Sequence, residues 1–379
     1  MQNAPKKYTL VWIITAIFIG VIIAFRLYLW ERIVKWQEQK RAMELMTELG
    51  AGINIGNDLD VRGDSDQLKD ASIYEYETYW GNVPVTKDVF KCVSESGFKT
   101  VRIPVSWYVH TDSEGMIEEA WMARVREVVD MALDNGLYVI LNNHHENFII
   151  PDYDHEESSK ETLVKLWKQI AEEFKEYDER LFFEGMNEPR MKDTSEEWTD
   201  GSEESREVVN NLNEAFVDTV RSTGSNNKHR YLLIPAYCSS SKRNALSDLR
   251  IPENDTRIMV SIHGYLPHRF TDEKRGHDNW DEKDARNTED IQELKTAIQE
   301  NFLANKIPVV ITEFGCDKKP SDDERIKWLK YYVGNLAEKG VPCIWWDNGK
   351  EEMYRIIDRE NAVITKNELV DTFISFYDR

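Results

Sequence analysis

From position 51 onward, short apolar runs alternate with longer stretches whose apolar residues recur at helical spacing. The runs at 52–56, 100–105, 138–143, 181–187, 231–236, 257–263, 308–313 and 341–347 read as strands. Between them, 87–96, 119–135, 158–177, 202–222, 286–305 and 322–338 read as helices, with a shorter helix at 243–249 and a closing one at 367–376. Eight strands alternating with helices predict an α/β fold, a single (β/α)8 barrel. An open doubly wound sheet is the alternative, but its glycine-rich loop belongs between the first strand and a helix. Here the glycines of GINIGN (52–57) lie within the strand itself.

Ahead of the barrel the pattern changes. Eighteen residues without a charge, 8–25, are long enough to cross a hydrocarbon core of about 30 Å at about 1.5 Å per residue. Lys6 and Lys7 precede them, and Arg26, Tyr28 and Trp30 follow as interfacial anchors. No small-x-small cleavage site follows, which favours an uncleaved transmembrane anchor over a signal peptide removed on secretion. The excess of Arg26, Arg32, Lys35, Lys40 and Arg41 pulls everything after the span toward the cytoplasm, but long domains cross largely regardless of such charge. Residues 31–49 are amphipathic, with Ile33, Trp36, Met43, Leu45 and Met46 as the apolar seam and Gly50 as C-cap. The expected organisation is a segment 1–30 that anchors or targets, a helix 31–50, and a catalytic domain 51–379.

Composition narrows the partners. A net charge of −21 over 379 residues disfavours nucleic acid and anionic membrane surfaces and suits a neutral polysaccharide. Twelve Trp and sixteen Tyr supply rings on which sugars stack, though most such rings serve packing. Cys92, Cys238, Cys316 and Cys343 are far apart and read as reduced thiols, not as a disulfide framework. Asp58, Asp60, Asp64 and Asp66 lack the glycine and closing glutamate of a calcium loop and read as a solvated acidic loop. The acidic stretch 278–290 reads as a surface loop or as a border of the substrate groove. No metal and no cofactor is expected, and the protein reads as a monomer.

In a barrel the C-terminal strand ends converge on one site. Those ends carry Asn57, Arg102, His144 and His145, Asn187 and Glu188, His263 and Tyr265, Glu313, and Trp346 with Asp347. Any one of them is as easily structural; their coincidence at the same end of seven strands is not. Two apolar runs deliver glutamates, Glu188 and Glu313, and a carboxylate at the end of a buried strand is costly unless it works. Paired carboxylates are the equipment of glycosidic bond cleavage. Glu188, between Asn187 and Pro189, is the expected acid, its pKa kept raised. Glu313, held ionised by Arg102, is the expected nucleophile. Asn187 is placed to donate to a sugar 2-hydroxyl, His263 and Tyr265 share a strand face and tune the carboxylates, and Trp346 forms an apolar floor.

Eight stretches occur in order: GINIGN (52–57), ETYWGN (77–82), GFKTVRIPVSW (97–107), GLYVILNNHHE (136–146), FEGMNEPR (183–190), SIHGY (261–265), TEFG (312–315) and WWDNG (345–349). From position 41 to the C-terminus the sequence therefore resembles glycoside hydrolase family 5 of clan A, most closely its subfamily 4 endoglucanases and xyloglucanases. The resemblance implies a retaining double displacement on β-1,4-linked glucan. It places family residues on Arg102, His144, Asn187, Glu188 (acid/base), His263, Tyr265, Glu313 (nucleophile) and Trp346. Xyloglucan, mixed-linkage glucan and mannan are alternative substrates, and a non-catalytic surface carbohydrate-binding protein is the reading from another class. Ile53, Asp58, Phe148 and Thr312 depart from the family pattern, at positions expected near the sugar. A polymer substrate requires an extracellular catalytic domain, either membrane-anchored or secreted after signal cleavage.

Overall fold

The computed structural model describes residues 5–62, 68, 71–253, 255–272, 277–317, 320–351 and 353–378. Eight parallel strands close into a barrel in sequence order: β1 (Ala51–Ile55), β2 (Thr100–Ile103), β3 (Tyr138–Asn142), β4 (Leu181–Glu184), β5 (Leu232–Pro235), β6 (Ile258–His263), β7 (Val309–Phe314) and β8 (Cys343–Asp347). Every strand residue except Tyr138 and Trp346 is buried, because inner side chains fill the barrel and outer ones meet helices. This explains why the strands read as continuous apolar runs.

In sequence order the helices are α1 (Pro5–Glu48), α2 (Ile73–Thr78), α3 (Lys87–Glu95), α4 (Glu119–Asp134), α5 (Glu156–Glu173), α6 (Glu203–Ser222), α7 (Arg243–Ser247), α8 (His268–Thr271), α9 (Ala285–Asn301), α10 (Asp322–Ala337) and α11 (Asn367–Ser375). A small hairpin of β9 (Ile357–Asp358) and β10 (Val363–Ile364) precedes α11. The expected helix 286–305 divides: α9 ends at Asn301, and a single 3₁₀ turn, Leu303–Asn305, follows.

The N-terminal segment and the expected helix 31–50 are one uninterrupted helix of 44 residues. Its best 18-residue stretch has a mean hydropathy of 2.3, and its apolar side chains from Val11 to Leu29 stand exposed, as a membrane anchor or signal sequence requires. The expected apolar seam is only partly used. Ile33 and Trp36 are each 51% exposed, whereas Ala42, Leu45, Met46 and Leu49 are buried. The reason is geometric. Ala42, Leu45 and Leu49 close the N-terminal mouth of the barrel against its inner layer of Ile140, Phe182, Leu233, Met259, Val310 and Ile344. Burying a leucine side chain there stabilises the fold by about 1.5–3 kcal/mol. With that mouth plugged, access to the barrel interior is from the opposite end, where the strand ends and βα loops lie.

One other expectation fails for an equally physical reason. Asp58 and Asp60 are not solvated but buried, with Asp58 paired to Arg359 at 2.6 Å; Asp64 and Asp66 lie outside the described residues. The stretch after β6 does not border the cleft at Trp280, which packs on Phe270 and Tyr331 and donates its backbone N–H to Glu324 on α10. All four cysteines are free, with Cys92 half-buried and the other three buried.

Candidate active site

Arg102 organises the site from the middle of the barrel. Its Nη1 donates to Glu313 Oε1 at 2.7 Å and to Asn54 Oδ1 at 2.9 Å, and its Nη2 donates to Asn187 Oδ1 at 2.6 Å. Its Nε donates to Glu184 Oε2 at 2.5 Å, below the catalytic level. Burial pulls the guanidinium down, but the charges of Glu184 and Glu313 outweigh it and hold the cation. Asn187 Oδ1 is thus occupied, so its amide N–H₂ is the group left for a ligand. Ser239 Oγ donates to the Asn187 carbonyl and fixes that loop.

Glu313 and Glu188 face each other across His263. Tyr265 Oη donates to Glu313 Oε2 at 2.9 Å. His263 Nδ1 lies 2.9 Å from Glu188 Oε1 and 3.5 Å from Glu313 Oε2. An oxygen of each carboxylate and a ring nitrogen of His263 lie within 4.8 Å of one another. Arg190 Nη1 reaches Glu188 Oε2 at 3.3 Å.

Electrostatics separate the two carboxyls. Burial pushes Glu188 up, but the His263 hydrogen bond and charge, with Arg190 and His145, bring it to about 2. Burial raises Glu313, the Glu188 charge adds to this, and His263, Arg102 and Tyr265 only partly offset it. The expectation of a raised Glu188 is therefore not met: local backbone constraint matters less than two nearby donors. The pair titrates as one system with a low and a raised apparent value.

The floor is formed by Trp346, whose ring runs parallel to His144 (3° between planes, centroids 5.7 Å apart). Gly56 permits this, because a Cβ there would come within 2.6 Å of the Trp346 ring. Asn57 follows with φ of +63°, and its carbonyl accepts from Asn82 Nδ2. Asp347 lies beneath the floor, not in it. Its carboxylate accepts from the backbone N–H groups of Gly349, Ile356 and Ile357 and from Arg359, whose other arm holds Asp58.

His145 sits at the rim beside Trp80, with ring centroids 5.9 Å apart. Asp60, His144 and His145 bring three possible metal-binding atoms together, a grouping not foreseen in the sequence. The donor set does not suit a metal. Asn142 Oδ1 accepts from Val105 N–H, so its Nδ2 donates to His144 Nδ1 and leaves the proton on Nε2, the atom facing Asp60.

Every residue expected at the strand ends is on this face, but β4 stops at Glu184, and Asn187 and Glu188 stand on the loop beyond it. Asn54, Asn142, Glu184, Arg190 and Ser261 were not anticipated. Glu184 was readable: two residues after Phe182, it shares that residue's inward face. Of the departures from the family pattern, Ile53, Asp58 and Thr312 are fully buried and do not line the cleft. Thr312 Oγ1 instead shares a hydrogen bond with Ser261, which donates to Glu184. Phe148 alone is partly open, its ring 5.3 Å from that of Tyr108.

A parallel eight-stranded barrel with two carboxylates held face to face at its C-terminal mouth defines a glycoside hydrolase of the (β/α)8 class. The chain belongs to glycosyl hydrolase family 5: the family's cellulase model matches residues 64–352. Endoglucanase A of Ruminococcus albus is 41% identical over 345 residues, covering 88% of this chain and 92% of that protein. Among solved structures, a broad-specificity endoglucanase of subfamily 4 from Clostridium longisporum superposes with a TM-score of 0.83 at 36% identity, covering 89% of this chain and 98% of the other. A xyloglucan-specific endo-β-1,4-glucanase from a metagenomic library, solved with cellotriose, gives 0.83 and 36%, covering 89% and 99%. The protein is thus a cellulase-type glycoside hydrolase, with neighbours in subfamily 4.

Proposed function

We propose that the protein is a retaining, endo-acting β-1,4-glucanase. The observation that carries this is the separation of the carboxylates, with oxygens within 4.8 Å. It fits the roughly 5–5.5 Å spacing of retaining sites and leaves no room for the water that inverting sites hold across about 6.5–9.5 Å. Glu313 attacks the anomeric carbon and forms a glycosyl ester while Glu188 gives its proton to the departing oxygen. Glu188 then takes a proton from water, which opens the ester and restores Glu313. Arg102 and Tyr265, donating to Glu313 from fixed positions, favour its ionised form as nucleophile. Asn187 N–H₂, His144 and Trp346 bind the sugar being cleaved, with Asn57 and His145 at its edge.

The cellotriose-bound relative supports a β-glucan substrate. A second reading, the same chemistry on xyloglucan, rests on that relative's stated specificity, and a lichenase neighbour with a TM-score of 0.83 favours mixed-linkage glucan in the same way. The catalytic domain of this proposal is 51–379, held outside the cell by the N-terminal helix as an uncleaved anchor.

The test is hydrolysis of soluble β-glucans by the full-length protein in detergent. Glu313→Ala is expected to abolish it and Glu172→Gln, on the exposed face of α5, to leave it unchanged. The first-formed product is expected to be the β-anomer by proton NMR. Full activity in the Glu313 variant, or an α-anomer, overturns the assignment.

A further inference from the structure

The loop that carries Asn187 and Glu188 leaves the sheet early. β4 pairs with β5 no further than Glu184 with Leu233, and Gly185 N–H reaches the Leu233 carbonyl at 3.1 Å. The residues beyond are held by the turn that follows β5. Cys238 N–H donates to the Pro189 carbonyl at 2.8 Å, and Ser239 Oγ donates to the Asn187 carbonyl. The carbonyls of the two residues flanking Glu188 are therefore gripped by two adjacent residues. Tyr237, which opens the turn, accepts from Met191 N–H at 3.0 Å with its Oη and donates to the Glu196 carbonyl at 3.1 Å. Tyr237, Cys238 and Ser239 are all buried.

The turn has a strained backbone. Cys238 has φ of +55° and Ser239 φ of +46°. Among the described residues they are the only two adjacent non-glycine residues with positive φ. An L-residue's Cβ crowds its own backbone there, so glycine is the usual occupant. Such strain persists only where the surroundings enforce it, and it gathers at functional sites. Here they do enforce it. Asn213 Nδ2 donates to the Pro235 carbonyl at 2.8 Å ahead of the turn. Ser239 and Ser240 N–H then close it on the Ala236 and Tyr237 carbonyls at 2.9 and 3.0 Å. In an extended strand the N–H groups lie in the sheet while side chains stand across it. Two positive-φ residues turn the chain so that an N–H and the neighbouring hydroxyl reach one loop. His263 and Arg190 hold the tip of Glu188, and this turn holds its root. Asn187 has an anchor of its own, since its Oδ1 accepts from Arg102 Nη2 at 2.6 Å. We propose that Ser239, presented by the strained turn it shares with Cys238, is a positioning residue for the acid/base, fixing the Glu188 backbone so that its carboxyl stands at the glycosidic oxygen. This inference rests on Glu188 being the acid.

The experiment compares two aryl β-cellobiosides on the full-length protein in detergent. A phenyl leaving group needs a proton from the acid, whereas 2,4-dinitrophenolate departs without one. For Ser239→Ala, kcat/KM is expected to fall about tenfold on the phenyl substrate and less than about twofold on the dinitrophenyl one. Ser239→Gly removes the same hydroxyl but relieves the backbone, so it should show the same split with a higher Tm than Ser239→Ala. Glu188→Ala should show the split in larger measure. An equal loss on both substrates, or no loss in either folded Ser239 variant, overturns the positioning role. So does a loss that tracks Tm across the two variants instead of the missing hydroxyl. If Glu188→Ala loses equally on both substrates, the acid assignment falls and the inference falls with it. A wild-type protein inert toward both would instead sink the glycosidase reading.

Discussion

Replacing Glu184 by Gln changes a carboxylate closed to solvent, yet it should shift the pH dependence of hydrolysis. Arg102 lies between Glu184 on Nε and Glu313 on Nη1, so the guanidinium charge is divided between them. The amide can accept from Arg102 Nε with its oxygen and donate to Ser261 Oγ with its nitrogen, while Ser261 turns its proton to Thr312. The substitution is therefore close to isosteric. With the negative charge gone, ionised Glu313 meets less repulsion and more of Arg102. Two unit charges roughly 7 Å apart at an effective dielectric of about 20 interact by about 2.4 kcal/mol, or about 1.7 pK units, as an upper value. The sign is downward: Glu313 is raised in the native site, and the variant lowers it. Ionised Glu313 sets the acidic limb of kcat/KM in the free enzyme, so that limb should move to lower pH by about one unit, with the alkaline limb moving less. Losing a charge-assisted hydrogen bond should also cost about 1.5–3 kcal/mol of stability, visible as a lower Tm. The assay is kcat/KM for a chromogenic cello-oligosaccharide across pH, on protein shown to be folded by circular dichroism. An acidic limb that stays in place or moves upward in folded protein refutes the coupling.

Two further outcomes concern stability. Leu45→Ala, at the plug between α1 and the barrel floor, should destabilise the fold by about 2–5 kcal/mol in chemical denaturation while leaving kcat/KM at 25 °C intact, because the site lies at the other end of the barrel. An unchanged denaturation midpoint would show that the plug is dispensable. Glu146 is raised to about 7 by burial, despite accepting hydrogen bonds from the backbone N–H groups of Trp107 and Tyr108. Its folded state holds the proton more tightly, so its contribution is intact below pH ~4.5 and is lost as pH rises toward 7. Glu146→Gln keeps both acceptor contacts and removes that penalty. Its Tm should exceed wild type by a margin that grows between pH 5 and 7, reflecting up to about 3 kcal/mol. A constant margin across that range would contradict the assignment.

The sequence by itself determined the barrel and the face of the site. Both follow from local rules: apolar runs bounded by polar residues mark buried strands, helical periodicity marks their cover, and parallel strands must deliver their C-terminal residues to one mouth. Arg102, His144, Asn187, Glu188, His263, Tyr265, Glu313 and Trp346 were all legible in that way, since each lies at or just past a strand end. The apolar N-terminal stretch was legible too, from length and hydropathy alone. Only the tertiary structure decided what depends on separations of many tens of residues. Arg102 is shared between Glu184 and Glu313, 82 and 211 positions away, and His263 stands between two carboxylates that it reaches unequally. The pKa order of the pair reversed the local expectation for that reason, because a carboxyl's charge state answers to whichever donors and charges the fold brings within a few ångströms, not to its neighbours in sequence. Likewise Asp58 and Asp60 read as solvated until the fold set Arg359, 301 residues from Asp58, against them. Helical periodicity could not tell which face of α1 would meet the barrel floor; the width of the barrel mouth chose Ala42, Leu45 and Leu49 and left Trp36 in solvent.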